Sequence, residues 1–262
     1  MSIRSIQEQR IALITGAGSG IGAATASRLA KDGYRVVLTG RRVDRLERVA
    51  RQITADGGKA EAHFVDVTDE ATVSAVADRL DRCDVLVNNA GGAIGTEPVS
   101  TALAADWRAM YETNVLGALQ MTQALLPKLT VGGDATIVIV SSTASFTVYE
   151  GGGGYSAAKH GEHVLAGTLR LELCGEPVRV IEIAPGMVYT EEFSLNRYRG
   201  DAAKAAEVYA GVDGPLVAED VADAIAWAVT RPAHVNVDLL VLRPLAQAAQ
   251  HKVYRQPYKR RP

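Results

Sequence analysis

The sequence is short of cysteine: Cys83 and Cys174 are the only two in 262 residues, with no CxxC spacing and no histidine cluster beside them. That argues against a disulfide framework or a structural zinc site and fits a reducing cytoplasm, the expected location. Each thiol reads as a small apolar residue. Charge of one sign is lacking too: the formal net charge is −2, which gives nucleic acid and anionic membranes little purchase as main partners. No apolar run approaches the ~18 residues of a membrane span. Residues 1–10 are polar and mixed, without the apolar stretch of a signal peptide. Proline- or serine-rich linkers and repeats of a fixed period are missing as well. One domain over 1–262 is therefore expected. The rest is ordinary globular material, 47% hydrophobic and 22% charged, long enough to bury a real core.

What is present alternates. Strand-like runs fall at 11–15, 35–39, 60–65, 85–88, 136–141, 179–184 and 238–242. Most are apolar throughout and rich in Val and Ile, as strands buried on both faces are. Helical patterns fall between them. Residues 22–32 follow a glycine turn and stop at Gly33, and 44–54 space Leu46, Val49, Ala50 and Ile53 on one face. Residues 69–80 start with Thr68 as the expected N-cap. Strand–helix alternation predicts an α/β doubly wound, Rossmann-like fold, a parallel sheet with helices on both faces. Residues 187–215 are polar and aromatic with weak strand signal, and predict a helical lid over a pocket. The tail 246–262 carries Lys252, Arg255, Lys259, Arg260 and Arg261 and is expected to be solvated or to meet another subunit.

Thr15-Gly16-Ala17-Gly18-Ser19-Gly20-Ile21-Gly22 follows the first strand and opens the first helix. In that setting a glycine turn lets the backbone approach a pyrophosphate, and the helix N-terminus offers it N–H groups. Gly16, Ser19, Gly20, Ile21 and Gly22 are thus expected at a dinucleotide. At the end of the second strand a carboxylate usually holds the adenosine ribose. Here Gly40, Arg41 and Arg42 stand instead. A guanidinium binds a 2′-phosphate that a carboxylate would repel, so NADP(H) is expected over NAD(H). Arg41 is the first choice, with Arg42 on the adenine or in solvent. Asp66 and Val67 end the third strand and Asn88, Ala90 and Gly91 the fourth. All converge where open parallel sheets bind ligands.

Ser142 follows the fifth strand, and Tyr155 and Lys159 lie at i and i+4, one turn apart on one helix face. For a phenol to act near neutrality its pKa must fall by ~3 units, about 4 kcal/mol. A neighbouring ammonium acts in that direction. His160 and His163 follow on the same helix, but their spacing from Tyr155 turns them mostly to other faces.

Together Thr15–Gly22, Asn88–Gly91, Asn114, Ser142, Tyr155–Lys159 and Pro185-Gly186 resemble the short-chain dehydrogenase/reductase family over roughly residues 10–244. The resemblance implies a seven-stranded sheet and an enzyme acting on CH–OH donors with NADP. Tyr155 would be the general acid–base, Ser142 the partner of the substrate oxygen, and Lys159 the group that binds the nicotinamide ribose and lowers the Tyr155 pKa. Asn114 would carry a water-linked proton path; from the residues alone it is a polar residue inside a helix. Pro185, Gly186, Val188 and Thr190 would lie along the nicotinamide and the phosphates. The resemblance also implies a homodimer or homotetramer built on the helices near 106–128 and 155–174. No metal takes part.

Thr39–Arg42, the run Glu191-Glu192-Phe193-Ser194, Arg197–Asp201 and Arg231–Val237 look further like the NADP-dependent 3-hydroxy acid (serine-type) dehydrogenases. That resemblance implies a β-hydroxy acid or small carbonyl substrate. Gly151-Gly152-Gly153-Gly154, just before Tyr155, departs from it and predicts a small, mobile pocket wall. Arg197 and Arg199 are either a carboxylate clamp or solvated charges. Two rival readings stand beside this one: an NADP(H)-binding sensor or scaffold without turnover, and epimerisation or dehydration on the same fold.

Overall fold

The computed structural model describes residues 9–257. The chain runs β1 (Ile11–Thr15), α1 (Gly20–Lys31), β2 (Arg35–Gly40), α2 (Val43–Ala55), β3 (Lys59–Phe64), α3 (Glu70–Ala77) and β4 (Val85–Asn88). It continues with α4 (Ala104–Tyr111), a π-helical turn at Glu112–Leu116, α5 (Gly117–Leu129), β5 (Ala135–Val140), α6 (Gly153–Glu172) and β6 (Val178–Pro185). Short elements follow: β7 (Val188–Tyr189), α7 (Phe193–Arg197), α8 (Ala202–Glu207) and β8 (Leu216–Val217). Then come α9 (Ala218–Val229), β9 (Leu239–Leu242) and a hairpin of β10 (Gln247–Ala249) and β11 (Lys252–Val253).

The seven strands anticipated from the apolar runs form one sheet in the order β3-β2-β1-β4-β5-β6-β9, and every pairing in it is parallel. β1, β4, β5 and β6 are buried along their whole length, which is why their sequences do not alternate. One face packs Val73, Met121, Leu125 and Leu169 from α3, α5 and α6. The other packs Leu29, Leu46 and Ile225 from α1, α2 and α9. Each large aliphatic chain fully buried here contributes roughly 1.5–3 kcal/mol of transfer free energy. The order reverses between β1 and β4, so the crevice of a doubly wound sheet opens at their carboxyl ends. No helix among the described residues is long and apolar enough to cross a membrane.

Three local expectations shift. The N-cap of α3 is Asp69, whose carboxylate accepts the Ala71 N–H at 3.0 Å. Thr68 cannot serve, because its hydroxyl is drawn back to Asp66 Oδ1 at 2.8 Å. The lid does contain helices, α7 and α8, but its ends also pair as β7 and β8. The tail is tied down as far as Arg255, whose guanidinium donates to the Val208 and Ala210 carbonyls at 3.2 and 2.8 Å, just past α8. Lys259, Arg260, Arg261 and residues 1–8 lie outside the described residues.

Candidate active site

The turn from β1 into α1 requires glycine at two positions. A Cβ on Gly22 would collide with the Gly16 carbonyl and Asn89 Nδ2, and Gly16 has φ +65°, in the region that favours glycine. Thr15 Oγ1 accepts the N–H groups of Asn89 and Ala90, both at 2.9 Å. Asn89 Nδ2 donates to the Thr15 carbonyl at 2.9 Å. These bonds stitch the ends of β1 and β4 together beside the N-terminus of α1.

The turn borders a cleft of about 1230 Å³ at the carboxyl ends of the strands, and every expected site residue lines it except Gly22 and Asn88. Gly22 lies behind the turn and lets it close. Asn88 is the last residue of β4, and its side chain points into the core, donating to Thr122 Oγ1 at 3.1 Å. Strand alternation gives the cleft to its neighbour Asn89 instead. The Asp66 carboxyl is raised by burial but held below its ordinary value on balance by the Thr68 N–H and hydroxyl and by the charge of Arg41.

A ready anion cradle lies at one end of the cleft. Arg42 Nη1 and Nη2 donate to Glu192 at 2.7 and 2.6 Å, Ser19 Oγ donates to it at 2.8 Å, and Arg45 also pairs with it. Hydrogen bonds from Arg42 lead the groups that hold the Glu192 carboxyl down, to about 2. Arg42 thus faces this cradle while its side chain stays half exposed to solvent. Arg45 and Glu192 were not legible as site residues, because their partners are distant in sequence. The one available signal for Arg45 is its place one turn into α2, close after Arg41 and Arg42.

At the other end stand Ser142, Tyr155, Lys159 and Asn114, all buried. Ser142 follows β5, with its Oγ accepting the Ala144 N–H at 3.1 Å and donating to the Pro185 carbonyl at 3.4 Å. Lys159 Nζ lies 5.8 Å from the centre of the Tyr155 ring. It donates to the Val140 carbonyl at 3.1 Å and to Glu162 Oε1 at 3.0 Å. Asn114 lies in the π turn that breaks the long helix of 104–129. Such turns recur at functional sites. Its side chain donates to the Met110 and Gly92 carbonyls at 2.6 and 3.1 Å and accepts the Gly92 N–H at 3.1 Å.

Burial raises the Tyr155 phenol above its ordinary value. Lys159 and Ser142 pull it down, as expected of an ammonium and a hydrogen-bond donor, but burial prevails. The Lys159 ammonium is lowered by burial, yet it is raised on balance by Glu162, Tyr155 and Glu182.

The four glycines before Tyr155 are not an empty wall. A Cβ on Gly153 would come 2.9 Å from the Trp107 ring, one on Gly154 2.5 Å from Met110 Cε, and one on Gly152 would enter the Tyr149 ring. The space is filled by neighbours, which makes this wall packed rather than loose. Arg197 lines the cleft and donates to Tyr149 Oη at 3.0 Å and the Gly151 carbonyl at 3.2 Å. Among the described residues no carboxylate pairs with it. Arg199 instead pairs with Asp106 at 2.7 Å. His160 and His163 turn to the Ser156 carbonyl and to Glu182. Cys83 is buried, its thiol pushed up to about 12 by burial, whereas Cys174 is exposed, unlike a core residue.

Comparison with known proteins places this geometry. The model of the short chain dehydrogenase family matches residues 10–198. An uncharacterized oxidoreductase of Mycobacterium tuberculosis is 53% identical over 92% of this chain and 93% of its own length. The serine 3-dehydrogenase of Agrobacterium fabrum is 41% identical over 93% and 98%. Among solved structures, the closed form of a serine dehydrogenase complexed with NADP+ superposes with a TM-score of 0.87, at 36% identity over 96% of this chain and 100% of that one.

Proposed function

We propose, from the premise that the chain belongs to the short-chain dehydrogenase family, that this oxidoreductase interconverts a β-hydroxy acid and its carbonyl partner with NADP(H). The single observation that carries the substrate class is Arg197, a cation in the cleft with no carboxylate of the described residues on it. It stands on the lid as a substrate carboxylate would require.

The cofactor reading is supported by the cradle of Ser19, Arg42 and Arg45. It already accepts an oxyanion, the Glu192 carboxylate, between two guanidinium groups and a hydroxyl. A 2′-phosphate asks for the same donors, and the glycine turn leaves backbone open to a pyrophosphate. Arg41, which lines the same cleft, is available to the same group. When bound, the nicotinamide supplies or accepts the hydride.

The chain's own residues handle the proton and the geometry. Ser142 Oγ holds the substrate oxygen and stabilises the charge that develops on it. Tyr155 Oη gives the proton to that oxygen in reduction and takes it in oxidation. Lys159 favours the phenolate and binds the ribose. Asn114 fixes the π turn against Gly92 and offers a water-linked path to Lys159. A complete acid–base set speaks for turnover rather than for mere cofactor sensing. The same reading carries a cytoplasmic enzyme that pairs with itself. Exposed Val164 and Leu171 on α6 are seven residues apart and share one face.

The test is a panel of 3-hydroxy acids and neutral secondary alcohols, followed by absorbance of the reduced nicotinamide with NADP+ and NAD+ side by side. Turnover of 3-hydroxy acids with NADP+ is expected. Preference for NAD+ refutes the cradle, and preference for neutral alcohols refutes the role of Arg197.

A further inference from the structure

The helix that carries Tyr155 and Lys159 carries a carboxylate that the reaction above does not use. Glu162 stands at i+3 from Lys159, on the same face of α6. It is 2% exposed, and its two oxygens lie 2.8 and 3.0 Å from Lys159 Nζ. Below it, on β6, Glu182 is fully buried, accepting the Ser141 hydroxyl at 2.6 Å and facing His163 Nδ1 at 2.7 Å. The floor under Tyr155 therefore holds one ammonium and two carboxylates, with His163 at its partly exposed rim. A carboxylate so placed is costly to bury and is a poor device for stability alone.

We infer that Glu162 is a positioning residue that acts through Lys159: it fixes the ammonium against Val140 and opposes its pull on Tyr155, biasing the centre toward the phenol and so toward carbonyl reduction at neutral pH. This rests on the function proposed above. An unpaired ammonium beside a phenol favours phenolate. An ammonium with a carboxylate 3.0 Å away presents mainly a dipole, and the field reaching Tyr155 shrinks. Glu162 raises the Tyr155 phenol, in the same direction as burial. Burial and Glu182 in turn raise the Glu162 carboxyl against Lys159, to about 7, so its charge is complete only above neutral pH, in the range where the raised Tyr155 phenol titrates.

Among the surroundings, Tyr149 also faces Tyr155 and raises its phenol, in the same direction as Glu162 and more strongly, and it stays in place in the Glu162 variants. Lys159 and Tyr155 face Glu162 from its own helix and Glu182 from β6. The 143–145 turn brings no titratable group. α4 and the π turn bring Asp106, held by Arg199, and exposed Arg108, Tyr111 and Glu112.

The sign follows. Oxidation needs phenolate, so its rate rises with pH through the Tyr155 value; reduction needs phenol, so its rate falls there. Without the Glu162 charge that value drops. In Glu162→Gln, the acidic limb of kcat/KM for oxidation and the alkaline limb for reduction should both move to lower pH by about one unit. Glu162→Asp should give a smaller shift in the same direction.

A second readout needs no turnover: the ultraviolet tyrosinate absorbance that disappears in Tyr155→Phe should titrate at lower pH in the Gln variant, with and without NADP+. Superimposable profiles and titrations, even with a lower rate or Tm, would reduce Glu162 to a structural role, and a shift to higher pH would overturn the inference equally. Should the Gln variant not fold, an unshifted titration in Glu162→Asp decides the matter against it. If the wild type turns over nothing with NADP+, the proposed function fails while the tyrosinate titration still judges Glu162.

Discussion

Burial and charge compete at Tyr155, and the competition decides what each side chain around it is for. Burial favours the phenol; Lys159 and Ser142 favour phenolate. Replacing Tyr155 with Phe removes the proton donor without changing the volume of the pocket. Turnover should fall by at least ~100-fold, the lower end for a general acid–base group. Tm and the Kd for NADP+ should stay near wild type, as read by scanning calorimetry and fluorescence titration. In the proposed function Arg197 serves binding rather than chemistry. A charge-assisted hydrogen bond lost at a carboxylate is worth about 1.5–3 kcal/mol, so Arg197→Gln should raise KM for 3-hydroxy acids by roughly 10–100-fold. Neutral secondary alcohols should change far less, and equal losses on both would remove Arg197 from the substrate site. Tyr155, Lys159 and Ser142 could be picked out from spacing and motif. Glu162 could have been found by the same helix geometry that pairs Tyr155 with Lys159. Glu192 could not, since it meets Arg42 across 150 residues of sequence.

Glu192 ties the segment after β6 to the glycine turn, beside the packing of Thr190 on Gly20. Glu192 precedes α7 and reaches Ser19 at the start of α1 and Arg42 and Arg45 at the start of α2. A 2′-phosphate drawn to those donors must share or displace the carboxylate. Glu192→Gln should therefore tighten NADP+ by about tenfold, one charge-assisted contact or ~1.4 kcal/mol, while NAD+ changes little. Equilibrium titration of both nucleotides checks this; weaker NADP+ binding in the variant would instead make Glu192 a closing clasp. The Glu192 carboxyl is held down, to about 2. The stability it lends is thus present above the ordinary carboxylate value and lost as pH falls through about 2. At this scale the sequence was legible where chemistry is local. Val- and Ile-rich runs gave the strands to within a residue or two, and glycines gave the ends of α1. The π turn was not legible, because nothing in Glu112–Leu116 marks an extra residue in a helix that continues on both sides. The direction of the Asn88 side chain, toward Thr122, was not legible either, because a residue at a strand end faces cleft or core according to register, which one strand's sequence does not state.

As a whole the described residues form a parallel sheet covered by three helices on each face, with the lid and residues such as Gln247, Gln250 and Val253 at the carboxyl ends of the strands. The center of that sheet holds the stability. Leu125 is fully buried against β4 and β5 neighbours such as Leu86 and Ile137, and Leu125→Ala should cost roughly 2–5 kcal/mol in denaturant unfolding. Pairing between copies should involve the face of α6 that carries Val164 and Leu171. Val164→Arg combined with Leu171→Arg should lower the mass seen by sedimentation, whereas an unchanged mass would place the interface elsewhere. The proposed function of the molecule is an NADP(H)-linked exchange of hydroxyl and carbonyl driven through Tyr155. Its most direct test is the initial rate of NADPH formation from a 3-hydroxy acid, measured for the wild type and for Tyr155→Phe at equal cofactor saturation. Robust turnover in the wild type and its near-complete loss in the variant are predicted. Equal rates in the two proteins would contradict the account.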